Sequence, residues 1–203
     1  VDYVQPVEAL IPGAQGKILA ACLRAGEPLT MRALARLAGV SANQATVVFD
    51  HLEELGLVQR QPAGRALLVT LVDESPIVDA LRAVADLRAR TLIKWRESAR
   101  DLRPRPATLV VYGSWARGEA RPGSDVDVLV MLPADLPADD EDDYREQLAR
   151  WCTYAGRVAG LPVAPLVVAS DELNAMSPEL VAQITRDGVL IVGDDPKRVL
   201  HAA

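Results

Sequence analysis

The chain has 203 residues, half of them apolar and a quarter charged, which suits one large ordered domain or two small ones and excludes a disordered chain. Its net charge of −6 is uneven: residues 1–106 hold 14 Lys/Arg against 12 Asp/Glu, and residues 107–203 hold 8 against 16. The acidic second half argues against non-specific wrapping of nucleic acid there, but a metal ion can still bridge carboxylates to phosphates.

Residues 14–25 carry helical spacing through Ile18, Leu19, Cys22 and Leu23 and stop at Gly26. Thr30 can cap a second helix, MRALARLA, that ends at Gly39, and Ser41 a third, ANQATVVFDHLEEL, that ends at Gly56. The strand-like runs LVQRQ and RALLVTLV follow, joined by a turn at Pro62-Ala63-Gly64.

Helix, helix, short turn, helix, then hairpin is the order of a winged helix-turn-helix. Through LTMRALARLAGVSANQATVVFDHLEELGLV and the wing at Gly64-Arg65, residues 14–72 resemble the DNA-binding domain of ArsR and MarR regulators. The resemblance implies that Ser41, Asn43, Gln44 and Thr46 open a recognition helix facing double-stranded DNA, with Arg65 reaching phosphate or the minor groove. Asn and Gln can read adenine, and Ser or Thr can hold phosphate, but Ser41 serves equally as an N-cap and Arg65 as a solvated turn residue. Winged domains also act as dimerisation modules.

Residues 76–101 read as one long connecting helix, with Pro76 in its first turn and an apolar stripe of Ile77, Leu81, Val84, Leu87, Leu92 and Trp95. Pro104 and Pro106 end it. Such a helix beside a winged domain suits a homodimer, since DNA sites are commonly paired. The expected organisation is a winged helix-turn-helix domain over 1–75, a connecting helix over 76–104 and an α/β domain with a mixed sheet over 105–203.

That last domain opens with a strand, ATLVVYG, a helix-like SWARGEA and a turn at Arg121–Ser124. A second strand, DVDVLVML, and a Pro- and Asp-rich loop follow. A helix over about 141–159, a strand over about 162–170, a helix near 178–186 and a strand at 189–193 complete it. Cys22 and Cys152 are isolated and form neither a metal motif nor a disulfide framework. No leader and no apolar run of membrane-spanning length stand out, so the chain reads as cytoplasmic with no membrane partner.

The chemistry concentrates in VVYGSWARGEARPGSDVDVLVML. Gly113-Ser114 stands where a buried strand turns into a helix, so free N–H groups and the Ser hydroxyl can receive phosphate. Asp125 and Asp127 are two apart on a strand and face the same way, where a hard cation such as Mg²⁺ relieves their repulsion.

This string resembles the nucleotidyltransferase superfamily, which includes DNA polymerase beta and the minimal nucleotidyltransferases: a Gly-Ser after a strand, then Asp-x-Asp in the next one. The positions here are Gly113, Ser114, Asp125 and Asp127, with Arg117-Gly118 and Ser124 also matching the minimal subgroup. The resemblance implies transfer of a nucleoside monophosphate from a nucleoside triphosphate to an acceptor, with Mg²⁺ or Mn²⁺. Gly113 and Ser114 would hold phosphates, Asp125 and Asp127 the metal, and Arg117 would neutralise phosphate charge. The acceptor stays open between a small molecule, a protein side chain and a nucleic-acid end.

One departure stands out. The family usually places a third carboxylate on the following strand, and here that strand holds Ala164 and Pro165. Asp171 and Glu172 at its far end suit a helix cap and first turn, whereas Glu146 or Asp143 is a candidate substitute base. The alternative to an enzyme is therefore a transcription factor whose nucleotidyltransferase-like domain senses a nucleotide.

Overall fold

The structure, a computed structural model, describes residues 1–64, 66–133, 136–169, 172 and 175–200. It divides into two compact units: Gln5–Leu87, and Val1–Val4 together with Arg88 onward.

In the first unit the elements are α1 (Pro6–Leu10), α2 (Ala14–Ala25), β1 (Leu29–Thr30), α3 (Met31–Ala38), α4 (Ala42–Glu54), β2 (Val58–Ala63), β3 (Ala66–Leu71) and α5 (Pro76–Ala85). The Thr30 hydroxyl accepts from the Ala33 N–H at 3.2 Å and that of Ser41 from the Gln44 N–H at 3.4 Å, so both expected caps are made. Gly39 takes φ 63° between α3 and α4, a left-handed conformation that a side chain disfavours. The strands run β1-β3-β2, all antiparallel, and Ile18, Leu19, Leu34, Phe49, Leu52, Val69 and Val78 form one core under them. Arg60 on β2 pairs with Asp50 and Glu53 of α4, tying the hairpin to that helix. Helix, helix, turn, helix and wing are all present.

The second unit contains α6 (Leu87–Ala99), β4 (Thr108–Tyr112), α7 (Gly113–Ala116), β5 (Val126–Met131), α8 (Glu141–Ala159), β6 (Val163–Val168), α9 (Pro178–Asp187), β7 (Val189–Gly193) and α10 (Pro196–Leu200). Its sheet runs β6-β5-β4-β7: β4 is antiparallel to both β5 and β7, while β5 and β6 are parallel, giving the expected mixed sheet. Pro165 lies on β6 at the sheet edge, where its missing N–H is tolerated. One sheet face carries Val110, Leu129 and Met131, which pack with Val168 and Ile184. Helices α6 and α8 are bound to each other through Trp95 Nε1 to the Ala155 carbonyl and Trp151 Nε1 to the Ser98 hydroxyl, both at 3.1 Å.

The structure corrects the single connecting helix. Asp86 ends α5 and α6 begins at Leu87, so the run is two helices. Tertiary packing decides this: Val78, Leu81 and Val84 join the core of the first unit, whereas Trp95 and Ala99 are buried in the second. One continuous apolar stripe is not formed, and Ile77, expected on it, is 56% exposed. The helix-like SWARGEA is also shorter than expected, its helix ending at Ala116.

Candidate active site

Tyr112 on β4 stands directly opposite Asp127 on β5, and the chain enters α7 at the next residue. Gly113 takes φ +72°, a region L side chains rarely adopt, and a Cβ placed on it would fall 2.1 Å from Asp127 Oδ2. The Asp127 carboxylate therefore lies against the Gly113 backbone, and only glycine leaves it room. Ser114 is half-buried, and its hydroxyl makes no hydrogen bond among the described residues, so it remains available to a ligand.

Asp125 is exposed at the mouth of β5 and Asp127 half-buried inside it. The Asp127 carboxyl is pushed above the ordinary carboxylate value, by burial first and by the Asp125 charge second, with Arg117 partly opposing. The Tyr112 phenol is raised likewise, by burial and then by Asp127 and Asp125. Two like-charged carboxylates with all-oxygen donors are of the kind that would suit a hard cation, which would offset their repulsion.

A second metal finds less. The parallel register places Ala164 beside Asp127, on the same face, where a third carboxylate would stand. Among the described residues no three His, Cys, Asp or Glu side chains gather into a metal-binding group. Glu146 is exposed on α8 and ion-paired with Arg150 at 2.6 Å, away from any such group. Asp143 is exposed in the first turn of α8, and Asp171 lies outside the described residues. Glu172 accepts from the Ala169 N–H at 3.0 Å.

Arg117 caps α7 and bonds Glu119 at 2.9 Å, leaving its charge felt at Asp127. Ser124 is occupied locally: its hydroxyl accepts from the Arg121 N–H at 3.1 Å and closes the turn before Asp125. Sequence reasoning missed two supports. Tyr112 was signalled only by preceding Gly113. Arg88 lies 5.2 Å from the Trp115 ring centroid and donates to the Trp115 and Ala116 carbonyls, fixing the end of α7.

Residues 92–191 match the nucleotidyltransferase domain family and residues 11–66 the MarR family. The chain is a MarR-type winged helix-turn-helix domain fused to a nucleotidyltransferase-superfamily domain. Among curated proteins, the bifunctional uridylyltransferase/uridylyl-removing enzyme of Bordetella pertussis is 38% identical over 89 residues, covering 41% of this chain and 10% of that enzyme. The match thus spans about a tenth of that relative's length. A crystal structure of a toxin-antitoxin with AMP-PNP is 18% identical over 56% of this chain and 81% of its own, with a TM-score of 0.38. TrmBL2, an archaeal chromatin protein, is 17% identical over 92% of this chain and 78% of its own, with a TM-score of 0.32.

In the MarR-type domain, Ser41, Asn43, Gln44 and Thr46 are all exposed at the start of α4. Three of them have local partners: the Ser41 hydroxyl donates to Gln44 Oε1 at 3.0 Å, and the Thr46 hydroxyl to the Ala42 carbonyl at 3.1 Å. Asn43 is free among the described residues, and Val47, one turn on, is 69% exposed. Nothing in the sequence signals this exposure, because an apolar residue on a helix is expected to face the core. Arg65 lies outside the described residues. Also among the described residues, no helix is long and apolar enough to cross a membrane.

Proposed function

We propose that the nucleotidyltransferase domain binds a nucleoside triphosphate at Gly113 and Ser114 and transfers its nucleoside monophosphate to an acceptor hydroxyl, releasing pyrophosphate. The observation that carries this reading is the Asp127 carboxylate seated against the Gly113 backbone, which brings phosphate-binding N–H groups and metal-binding oxygens to one place. Asp125 and Asp127 would hold Mg²⁺ or Mn²⁺, which supplies charge neutralisation on the phosphates when bound. Ser114 donates its hydroxyl to phosphate oxygen, and Arg117 adds positive charge beside Asp127. The short turn at Ser124 sets where Asp125 leaves the loop.

In the winged domain, Asn43 would read a base edge and Val47 a thymine methyl, with Ser41, Gln44, Thr46 and Arg65 at phosphates or neighbouring bases of double-stranded DNA. A homodimer would match paired half-sites, and the acceptor would be a small molecule, a protein or a nucleic-acid end.

The test measures pyrophosphate release with each of the four ribonucleoside triphosphates and Mg²⁺ or Mn²⁺. Turnover that disappears in Asp127→Ala supports transfer. A second reading is favoured by Ala164 beside Asp127: a regulator that senses the nucleotide without transferring it. It is expected to bind triphosphate with no pyrophosphate release and to change its affinity for DNA in response. Absence of triphosphate binding at millimolar concentration defeats both readings.

A further inference from the structure

A second cluster of charge lies away from the aspartates. A cavity of about 550 Å³ along the edge strand β7 is lined by Arg96, Arg100, Arg103 and Arg105 together with the strand from Leu190 to Gly193. All four arginines are exposed, and among the described residues none is ion-paired. Arg96 Nε and Nη2 donate to the Leu190 carbonyl at 3.2 and 3.0 Å, and Arg105 Nη2 to the Gly193 carbonyl at 3.4 Å. Arg103 Nη1 donates to the Leu102 carbonyl at 2.8 Å and also to that of Arg100. The Arg100 guanidinium has no bonded partner among the described residues.

These bonds position the side chains without neutralising them, because a carbonyl accepts a proton donor but carries no net charge. Four like charges thus gather on one cavity. An anion bound among them would offset their mutual repulsion.

From this cluster we propose that the Arg96–Arg105 cleft binds the phosphodiester backbone of a single-stranded nucleic acid. The strand from Leu190 to Gly193 extends for roughly 10 Å, so the ligand must present several anionic groups in a row. Guanidinium forks suit phosphate oxygens. An added peptide strand is disfavoured because Arg96 and Arg105 already take the carbonyls of Leu190 and Gly193. Among the described residues no aromatic side chain lines the cleft, so recognition follows the backbone and not the bases. The registers put the cleft on the order of 10–15 Å from Asp127, separate from the nucleotide cradle. The proposal goes beyond nucleotide transfer and stands whether or not transfer occurs.

The test uses the full chain and a labelled oligouridylate RNA of about twelve nucleotides, with binding followed by fluorescence anisotropy across a salt series. Four phosphate contacts give a slope of log affinity on log salt of about −3, from about −0.7 per contact on a single strand. Arg100→Gln/Arg103→Gln is expected to weaken binding roughly tenfold or more and to make the slope shallower by about 1.4. Arg100→Lys/Arg103→Lys should keep the slope, and oligocytidylate should bind as well as oligouridylate. An unchanged tryptophan-monitored melting midpoint confirms that the Gln variant is folded. No binding at low salt or an unchanged slope in the Gln variant overturns the proposal. So does equal competition by an oligoglutamate peptide, which would make the cleft a protein-docking surface. Loss of RNA binding in Asn43→Ala with none in the Gln variant assigns it to the winged domain and overturns it as well.

Discussion

At Gly113 two independent constraints fall on one residue: φ of +72° and the Asp127 carboxylate where a Cβ would be. Gly113→Ala is therefore expected to destabilise the nucleotidyltransferase unit by about 1–3 kcal/mol and to abolish triphosphate binding. Urea unfolding and a triphosphate titration check the two parts, and full binding in the variant would refute the cradle. Asp127 makes the opposite case. Its folded pKa is raised, so its contribution to stability is present at low pH and lost as pH rises through that value. Asp127→Asn is accordingly expected to raise the thermal midpoint of the ligand-free chain at neutral pH. The gain should shrink on acidification towards the ordinary carboxylate range. A variant no more stable at pH 7 would mean that the strain at Asp127 is already relieved.

Among the elements, register decides what the site contains. Pairing of Asp127 with Ala164 follows from β5 and β6 being parallel, and a one-residue slip would carry Pro165 to that position on the face. Ala164→Asp is expected to lower the midpoint of the metal-free chain, at a cost of about 1–3 kcal/mol from adding a third like charge. Mg²⁺ should then raise it by more than it raises the wild type. An equal response to Mg²⁺ in both proteins would show that position 164 does not face the pair. The winged hairpin follows the same logic, because Arg60 holds β2 to α4 through Asp50 and Glu53 and so sets where the wing begins.

For the whole chain, the division into units means that the backbone leaves the nucleotidyltransferase unit after Val4 and returns at Arg88. The winged unit is thus an insertion in the covalent sense. Tyr3 anchors the first crossing: its hydroxyl donates to the Ala159 carbonyl at 3.1 Å and lies 3.2 Å from the Thr91 hydroxyl, and its ring meets Trp115 edge-on at 5.3 Å. Tyr3→Ala should therefore cost about 3–5 kcal/mol in the nucleotidyltransferase unit, as for other buried aromatics. All three tryptophans, Trp95, Trp115 and Trp151, belong to that unit, so their fluorescence reports its unfolding alone. A tryptophan-monitored midpoint that does not move would contradict the anchoring role of the first four residues.

Local pattern was enough for the elements that are periodic and capped: α2, α3, α4 and α8, the wing strands, and the strands of the mixed sheet. The short Gly-Ser turn and the Asp pair were likewise legible, since a two-residue strand period and a strand-to-helix glycine need no distant information. What needed the tertiary structure was every feature set by distant neighbours. The helix break at Asp86 depends on which core claims each half, and the exposure of Ile77 and Val47 on which faces stay uncovered. The short helices α1 and α10 and the two-residue strand β1 were too brief to show a period. Tyr3 entering the second unit, Arg88 holding the end of α7 and the gathering of Arg96 with Arg105 along β7 join residues far apart in the chain. The amino-acid order determines which side chains exist and which local caps form; strand pairing and packing decide which carboxylates and guanidiniums meet, because charges interact across space and not along sequence.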